Sequence, residues 1–248
     1  MLPGVPAAFR WTAELAGPAL RCIPLERVAP HLFTTRHFEL PAAASALGVS
    51  EARLWRLAQV HGNAVIVARG EAPADRPQAD ALVSTDRSVA LAVLAADCVP
   101  LLMADARTGA VAAVHAGWRG TAARVANAAV EAMTREFGTR PEDLIAAIGP
   151  AIGPCCYDVG PDVVDAFAAA GHERHLISRW FPTPSRNAPL RLDVPGANRD
   201  QLMLSGVPED HIHLAGLCTA MHLDVLTSYR AEKEKAVRMA GVIRMQRQ

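Results

Sequence analysis

The chain has 248 residues, and 51% of them are hydrophobic, so it is long and apolar enough to bury a large core. Its 25 acidic and 25 basic residues leave no formal net charge, which does not favour nucleic acid or an anionic membrane surface as a partner. No stretch reaches the roughly 18 to 20 apolar residues of a membrane-spanning helix.

The cysteine content indicates a reducing compartment. The five cysteines are an odd number and two of them are adjacent, unlike the framework of an oxidised secreted protein. They are Cys22, Cys98, Cys155, Cys156 and Cys218. The N-terminal segment has neither the basic region nor the long apolar region of a signal peptide. We therefore predict a soluble, cytoplasmic protein.

Strand and helix patterns alternate irregularly along the chain. Eight segments have the apolar or alternating pattern of strands: 65–68, 89–94, 100–104, 110–115, 144–148, 190–192, 211–215 and 242–245. Three helices are predicted, from about Thr121 to Gly138, from Pro161 to Gly171 and over 197–205. The segment 182–189 has the composition of an ordered surface loop. This mixture predicts a layered α+β fold in a single domain, 1–248.

Three potential metal ligands each lie at the edge of a predicted strand. His61 precedes a Gly-Asn turn, Cys98 follows one buried strand, and His115 ends another strand before a Gly-Trp-Arg-Gly loop. Two imidazoles and one thiolate suit zinc, and three protein ligands leave a fourth position open, as in catalytic sites. Each residue taken alone also has a structural interpretation, as a buried hydrophobic cysteine or a hydrogen-bonded structural histidine. The spacing matches neither CxxC nor HExxH.

Other polar residues are candidates for supporting roles. Asp97, beside Cys98, has two interpretations: a hydrogen bond to a ligand histidine, or a turn aspartate that accepts from backbone amides. Arg36 and Arg119 are candidate anion ligands, and Arg119 lies where a helix begins. For both arginines the alternative is a surface salt bridge.

The glycine- and proline-rich segment 149–156 ends in the adjacent cysteines Cys155 and Cys156. Glycines in a tight turn could let a ligand approach the backbone closely, although a rigid turn is the simpler interpretation. The side chains of two adjacent residues cannot easily coordinate the same metal ion. We therefore predict a structural role for both cysteines.

Eight segments together resemble a known family. They are, in order, QVHG, ADALVST, AADCVPLLMAD, AAVHAGWRGT, AIGPAIGPCCYDVG, LDVPGANRDQLMLSGV and the C-terminal LCT and TSYRAEKEKAVRMAGVI. The chain resembles the YfiH family, long called polyphenol oxidase or laccase domain proteins and described as purine nucleoside phosphorylases. The resemblance covers about 33–243, and ADCVP and VHAGWRGT are its most specific parts.

The resemblance implies a layered α/β/β/α sandwich with mixed sheets. It implies zinc, rather than copper, bound by the residues that match the family's ligands, His61, Cys98 and His115. The implied activity is phosphorolysis of adenosine, inosine, guanosine and methylthioadenosine, with hydrolytic deamination of adenosine. Purine nucleosides and phosphate are thus the implied partners, and Asp97 is a candidate for the general acid or base. Some members of the family resemble a peptidoglycan-editing factor that clears a mis-charged muropeptide precursor.

Two departures from the family pattern predict a different substrate pocket. The family's Gly-Gly-Val-Ser turn is replaced after Arg36 by His-Phe-Glu-Leu. The aromatic residue before SYR is replaced by Leu226-Thr227, and the paired arginine after Tyr229 is reduced to Arg230 alone. No amphipathic seam stands out, so we predict a monomer.

Three other classes of protein remain as alternatives. A multicopper laccase needs about ten histidines in His-x-His and His-Cys-His patterns, whereas this chain has nine and no His-Cys-His. A cysteine hydrolase would use Cys98 as nucleophile and His115 as base, and its metal content would distinguish it. A zinc-stabilised scaffold would need a fourth ligand from Cys218, His222 or Cys155.

Overall fold

The computed structural model describes residues 1–182 and 189–246. The strands in these ranges are β1 (Phe9–Glu14), β2 (Gly17–Cys22), β3 (His31–Thr34), β4 (Leu54–Trp55), β5 (Val65–Val67), β6 (Ala81–Ser84), β7 (Ala90–Ala95), β8 (Val99–Asp105), β9 (Val111–Ala116), β10 (Leu144–Ile148), β11 (Asp158–Val159), β12 (Leu190–Arg191), β13 (Ile212–Leu214) and β14 (Met239–Arg244). The helices are α1 (Ile23–Glu26), α2 (Leu40–Ala46), α3 (Trp118–Ala122), α4 (Val125–Phe137), α5 (Pro161–Ala169), α6 (Arg174–Trp180), α7 (Val194–Leu204) and α8 (Tyr229–Glu232). The loop predicted over 182–189 lies almost wholly outside the described residues.

Two six-stranded mixed sheets form the centre of the fold. One has the order β1-β2-β3-β14-β7-β4 and the other the order β13-β10-β8-β9-β6-β5, while β11 and β12 form a separate pair. Three pairs are parallel, β4 with β7, β5 with β6 and β10 with β13, and the other pairs are antiparallel. The mixed sheets of the predicted α+β fold are therefore confirmed.

Apolar side chains fill three layers around these sheets. Phe33 and Leu91 of the first sheet pack against Leu102 and Val111 of the second in the layer between them. The outer face of the second sheet packs against α3 to α7, and the outer face of the first packs against α2. This arrangement confirms the α/β/β/α sandwich. It also explains why β8 and β9 are buried along their whole length, since both of their faces are covered.

All eight predicted strands are present, whereas the predicted helices need two corrections. The helix expected from Thr121 to Gly138 is two helices, because Arg124 between α3 and α4 has a left-handed φ of 60°. The third helix begins at Val194 rather than at 197, because the Asp193 side chain accepts a hydrogen bond from the Gly196 amide and caps it. None of the helices in the described ranges has both the length and the hydropathy needed to cross a bilayer.

Candidate metal centre

The three predicted ligands come together at one end of the second sheet. The potential ligand atoms of His61, Cys98 and His115 all lie within 4.8 Å of one another. Cys98 Sγ is 4.0 Å from His61 Nε2, and the two imidazole rings are 4.9 Å apart at their centroids. The pairing of β8 with β9 causes this convergence, because Pro100 lies opposite His115 and Cys98 immediately precedes β8.

The loop that carries His61 is held by a buried carboxylate. Asp80, which is fully buried, accepts hydrogen bonds from the backbone amides of Val60, His61 and Gly62 at 3.2, 3.0 and 2.7 Å. These bonds support the left-handed conformation of His61, whose φ is 61°. The Gln59 side-chain amide also donates to the carbonyl of Leu94 and accepts from its amide, which fastens the loop to β7.

The same carboxylate orients His115. Its Nδ1 donates to Asp80 Oδ1 at 2.8 Å, so the other ring nitrogen, Nε2, is free to bind a metal ion. Burial raises the pKa of Asp80, but hydrogen bonds from His115 and Gly62 outweigh it and leave the pKa below its usual value. Asp80 was not singled out from the sequence, although it lies within the ADALVST segment.

The electrostatics of the cluster favour a thiolate. Burial raises the pKa of Cys98, but hydrogen bonds with His115 and His61 outweigh it and lower the pKa to about 6. Burial lowers the pKa of His115, whereas its hydrogen bonds with Asp80 and Cys98 raise it to about 9. A thiolate is the form of cysteine that binds metals, so the sulfur is prepared for a cation.

The donor set and the space around it fit a zinc ion. A Cβ atom at Gly117 would lie 2.9 Å from Cys98 Sγ and 3.0 Å from His61 Cδ2, so the glycine keeps the centre open. Within the described ranges the cluster includes no fourth histidine, cysteine or carboxylate. Three ligands and an open position match catalytic rather than structural zinc sites.

A cavity of about 300 Å³ opens directly onto the cluster. Gln59, Arg76 and Arg238 line it together with the three potential metal ligands. Arg76 and Arg238 are exposed, and neither forms a hydrogen bond or an ion pair within the described part of the chain. Neither Arg76 nor Arg238 was identified as a candidate from the sequence. Arg238 lies within the AVRMAGVI segment, whereas no sequence signal distinguishes Arg76.

The two arginines predicted to bind an anion lie outside the lining of this cavity. Arg119 is exposed in the first turn of α3, with its guanidinium 4.3 Å from the centroid of the Trp118 ring. Arg36 is mostly buried, and its Nη2 donates to Glu232 Oε1 at 2.9 Å. Arg36 Nη1 also donates to the carbonyls of Leu223 and Leu226, so this side chain fastens the C-terminal segment.

Asp97 does not contact a ligand histidine. Its carboxylate accepts hydrogen bonds from the Thr219 hydroxyl and the Arg230 amide, each at 2.6 Å. The interpretation of Asp97 as the partner of a ligand histidine was therefore wrong, and Asp80 takes that place. The alternative interpretation, a turn aspartate that accepts from backbone amides, holds only in part, because the amide belongs to Arg230, which is 133 residues away rather than in the same turn.

The fold and the three-ligand cluster define a layered sandwich protein with a candidate catalytic metal centre. Residues 39–246 match the family described as multi-copper polyphenol oxidoreductase laccase, and the chain belongs to this family. The YfiH protein of Bacillus licheniformis has the same fold, with a TM-score of 0.85 and 25% identity over 95% of this chain and 99% of that one.

Curated relatives carry two enzyme names. A purine nucleoside phosphorylase of Deinococcus radiodurans is 40% identical over 204 residues, which are 82% of this chain and 75% of that protein. The adenosine deaminase RL5, from an unknown prokaryote, is 40% identical over 133 residues, 54% of this chain and 49% of the relative. With some of the phosphorylases the match spans only 55 to 60% of the relative's length.

Proposed function

We propose that this protein is a zinc-dependent purine nucleoside phosphorylase that acts on adenosine, inosine, guanosine and methylthioadenosine and also deaminates adenosine. The observation that carries the proposal is the convergence of His61, Cys98 and His115 beside a cavity lined by two arginines that have no partner among the described residues. The relatives named purine nucleoside phosphorylase and adenosine deaminase support the two activities.

The three side chains of the cluster would hold the zinc ion. When bound there, zinc supplies a Lewis acid and lowers the pKa of a water molecule to about 7. Asp80 keeps His115 in the required tautomer and holds the His61 loop in place. Gly117 leaves room between the ligands for the ion and for a substrate atom.

In phosphorolysis, phosphate attacks C1′ of the ribose while the purine leaves with growing negative charge. Arg76 and Arg238 are the side chains best placed to bind the phosphate, because they line the cavity and have no other partner among the described residues. Arg119, which is exposed and forms no ion pair within 1–182 and 189–246, remains a second candidate. Arg36 remains a sequence-based candidate whose guanidinium already binds Glu232.

Deamination needs a proton donor and acceptor near C6 of adenine. The sequence-based candidate is Asp97, next to Cys98, with its carboxylate bound to Thr219 and to the Arg230 amide. Both of its oxygens are committed to these contacts, so proton transfer through Asp97 would require them to break. The open position of a three-ligand centre is what supports deamination as a second activity.

Two alternatives for the same centre remain, a muropeptide-precursor hydrolase and a copper-dependent polyphenol oxidase. The family description supports copper, but His61 and His115 are the only histidines that belong to a potential metal cluster in the described ranges. A laccase needs many more.

We further propose that the protein is a cytoplasmic monomer without nucleic-acid or membrane partners, since all five cysteines are free thiols and the net charge is zero.

The proposal is tested by incubating metal-quantified protein with adenosine, with and without phosphate, and identifying the products by chromatography. Phosphate-dependent adenine with ribose-1-phosphate supports phosphorolysis, and inosine supports deamination. Cys98→Ala should lose both zinc and activity, whereas Cys22→Ala, a thiol outside the cluster, should keep both. Zinc-loaded protein that forms neither product would overturn the nucleoside proposal and favour muropeptide hydrolysis.

A further inference from the structure

A second cluster of potential metal ligands lies apart from the centre described above. It consists of Cys155, Cys156 and Cys218, whose Sγ atoms all lie within 4.8 Å of one another. None of the three belongs to the His61 cluster, and the proposed reaction does not use them. We propose that these three thiols form a separate metal site that binds a soft monovalent cation, Cu⁺.

The backbone explains how two adjacent cysteines can face one ion. After Gly153 and Pro154 the chain forms a tight turn, in which the Cys156 amide donates to the Gly153 carbonyl at 3.0 Å. In an extended strand, adjacent side chains point to opposite faces, whereas in this turn Cys155 and Cys156 are not held in that alternation. The reason for expecting that adjacent cysteines could not share a metal ion therefore does not apply here.

The third thiol is brought in by a short parallel bridge between Ala151 and Cys218. The Ala151 amide donates to the Leu217 carbonyl at 3.2 Å, and the Thr219 amide donates to the Ala151 carbonyl at 3.1 Å. These two bonds flank Cys218 and fix it against the segment that leads into the cysteine turn. The three sulfur atoms are thus held by backbone contacts on two separate parts of the chain.

The surroundings of the cluster suit a cation rather than a packed core. Cys155 is exposed, and Cys155 and Cys218 line a cavity of about 280 Å³, which gives an ion access from solvent. The Gly153 amide donates to Cys218 Sγ at 3.3 Å, a contact that stabilises negative charge on the sulfur.

The ligand set selects the kind of ion. Three sulfur donors without an imidazole or a carboxylate favour a soft cation. A zinc ion held by thiolates alone takes four of them, whereas this cluster offers three among the described residues, so we assign Cu⁺. Burial, and after it the neighbouring sulfurs, raise the pKa of Cys155 to about 12. Cu⁺ binding therefore displaces the proton of Cys155.

The test counts Cu⁺ in a Cys98→Ala background, which removes the first centre. Metal-stripped, reduced protein is titrated anaerobically with Cu⁺ presented by a competing colorimetric chelator, and the copper neighbours are identified by X-ray absorption. We expect one Cu⁺ per chain with sulfur neighbours alone. Adding Cys155→Ser, Cys156→Ser and Cys218→Ser should abolish this uptake, and adding Cys22→Ala, which lies outside both clusters, should leave it unchanged.

Equal uptake by the triple-serine protein, or nitrogen neighbours at the copper, would overturn the proposal. Circular dichroism checks that each variant is folded. If the triple-serine protein does not fold, Cys156→Ser alone decides, because loss of one of three ligands should weaken Cu⁺ affinity by more than the roughly tenfold cost of losing an outer contact. An unchanged affinity in Cys156→Ser would equally contradict the proposal.

Discussion

Asp80 Oδ1 lies 2.8 Å from His115 Nδ1, and the same carboxylate binds the backbone amides of the loop that carries His61. One buried aspartate thus positions two of the three potential ligands, although 35 residues separate it from His115. It connects the beginning of β6 to the end of β9 and to the loop before β5. The geometry of the centre therefore depends on Asp80 as much as on the ligands themselves.

Asp80→Asn should lower zinc affinity and activity by roughly 10- to 100-fold, the usual cost of losing a partner of a ligand histidine. The amide offers only one acceptor oxygen in place of the carboxylate that now binds His115 and three amides. Competition with a chromophoric zinc chelator measures the affinity. Asp75→Asn, at an exposed position, is the matched control. Wild-type zinc affinity in Asp80→Asn would show that Asp80 does not position the ligands.

Gly117→Ala should reduce zinc binding without a large loss of stability. The new methyl group would lie 2.9 Å from Cys98 Sγ and 3.0 Å from His61 Cδ2, which forces the ligands apart. The φ of −75° at this position suits alanine, so the backbone itself is not strained. Zinc content by mass spectrometry and thermal unfolding should be compared with Gly4→Ala, where the added methyl meets no neighbour within 4 Å. Full zinc occupancy in Gly117→Ala is the contradicting result.

Arg76→Ala and Arg238→Ala should each raise KM for phosphate about tenfold, the loss expected for one charge-assisted hydrogen bond. KM for the nucleoside should change less, because the lost contact is to the anion. Phosphate titrations at saturating inosine measure the effect, with the exposed Arg69→Ala as the control. If only Arg119→Ala raises this KM, Arg119 rather than the two arginines of the cavity binds the phosphate.

Arg36→Ala should destabilise the fold by about 1 to 3 kcal/mol. The substitution leaves Glu232 without its ion pair and removes the donor to the Leu223 carbonyl. Urea unfolding measures the change. Arg119→Ala, which loses only an exposed contact with Trp118, should stay within about 0.5 kcal/mol of wild type. An unchanged stability of Arg36→Ala, combined with a raised KM for phosphate, would favour its sequence-predicted role as an anion ligand.

Stability should fall as the pH drops from 6.5 towards 4, in part because of His31. Burial lowers the pKa of this histidine to about 4. Its Nε2 accepts from the Cys22 amide and its Nδ1 donates to the Ala29 carbonyl, so the neutral ring is fully paired.

Above pH 6.5 the His31 ring carries no second proton in either the folded or the unfolded chain. Below it only the unfolded chain gains one, which costs about 1.4 kcal/mol of stability per pH unit until about pH 4. Urea unfolding at pH 7.5 and pH 5, in the presence of a chelator, should show roughly 2 kcal/mol less pH dependence in His31→Gln than in wild type. An identical pH dependence would mean that His31 does not contribute.

The residue pattern along each segment identified eight of the strands and the three potential metal ligands. Strands 89–94 and 110–115 are nearly all apolar because both faces of their sheets are covered, and this pattern is visible without any tertiary contact. His61, Cys98 and His115 were recognisable because each lies where such a strand meets a turn. The N-terminal strands β1 to β3 were missed, since β1 is a partly exposed edge strand and β3 has four residues.

Only the tertiary structure could bring together residues that are distant in the chain. The carboxylate of Asp80, the arginines Arg76 and Arg238, and the approach of Cys218 to the Cys155–Cys156 turn all depend on sheet register and loop path. Sheet register and loop path cannot be read from local composition, because register is set by long-range pairing of strands. The sequence by itself determined which atoms can bind a metal, and the packing of two sheets decided which of those atoms meet.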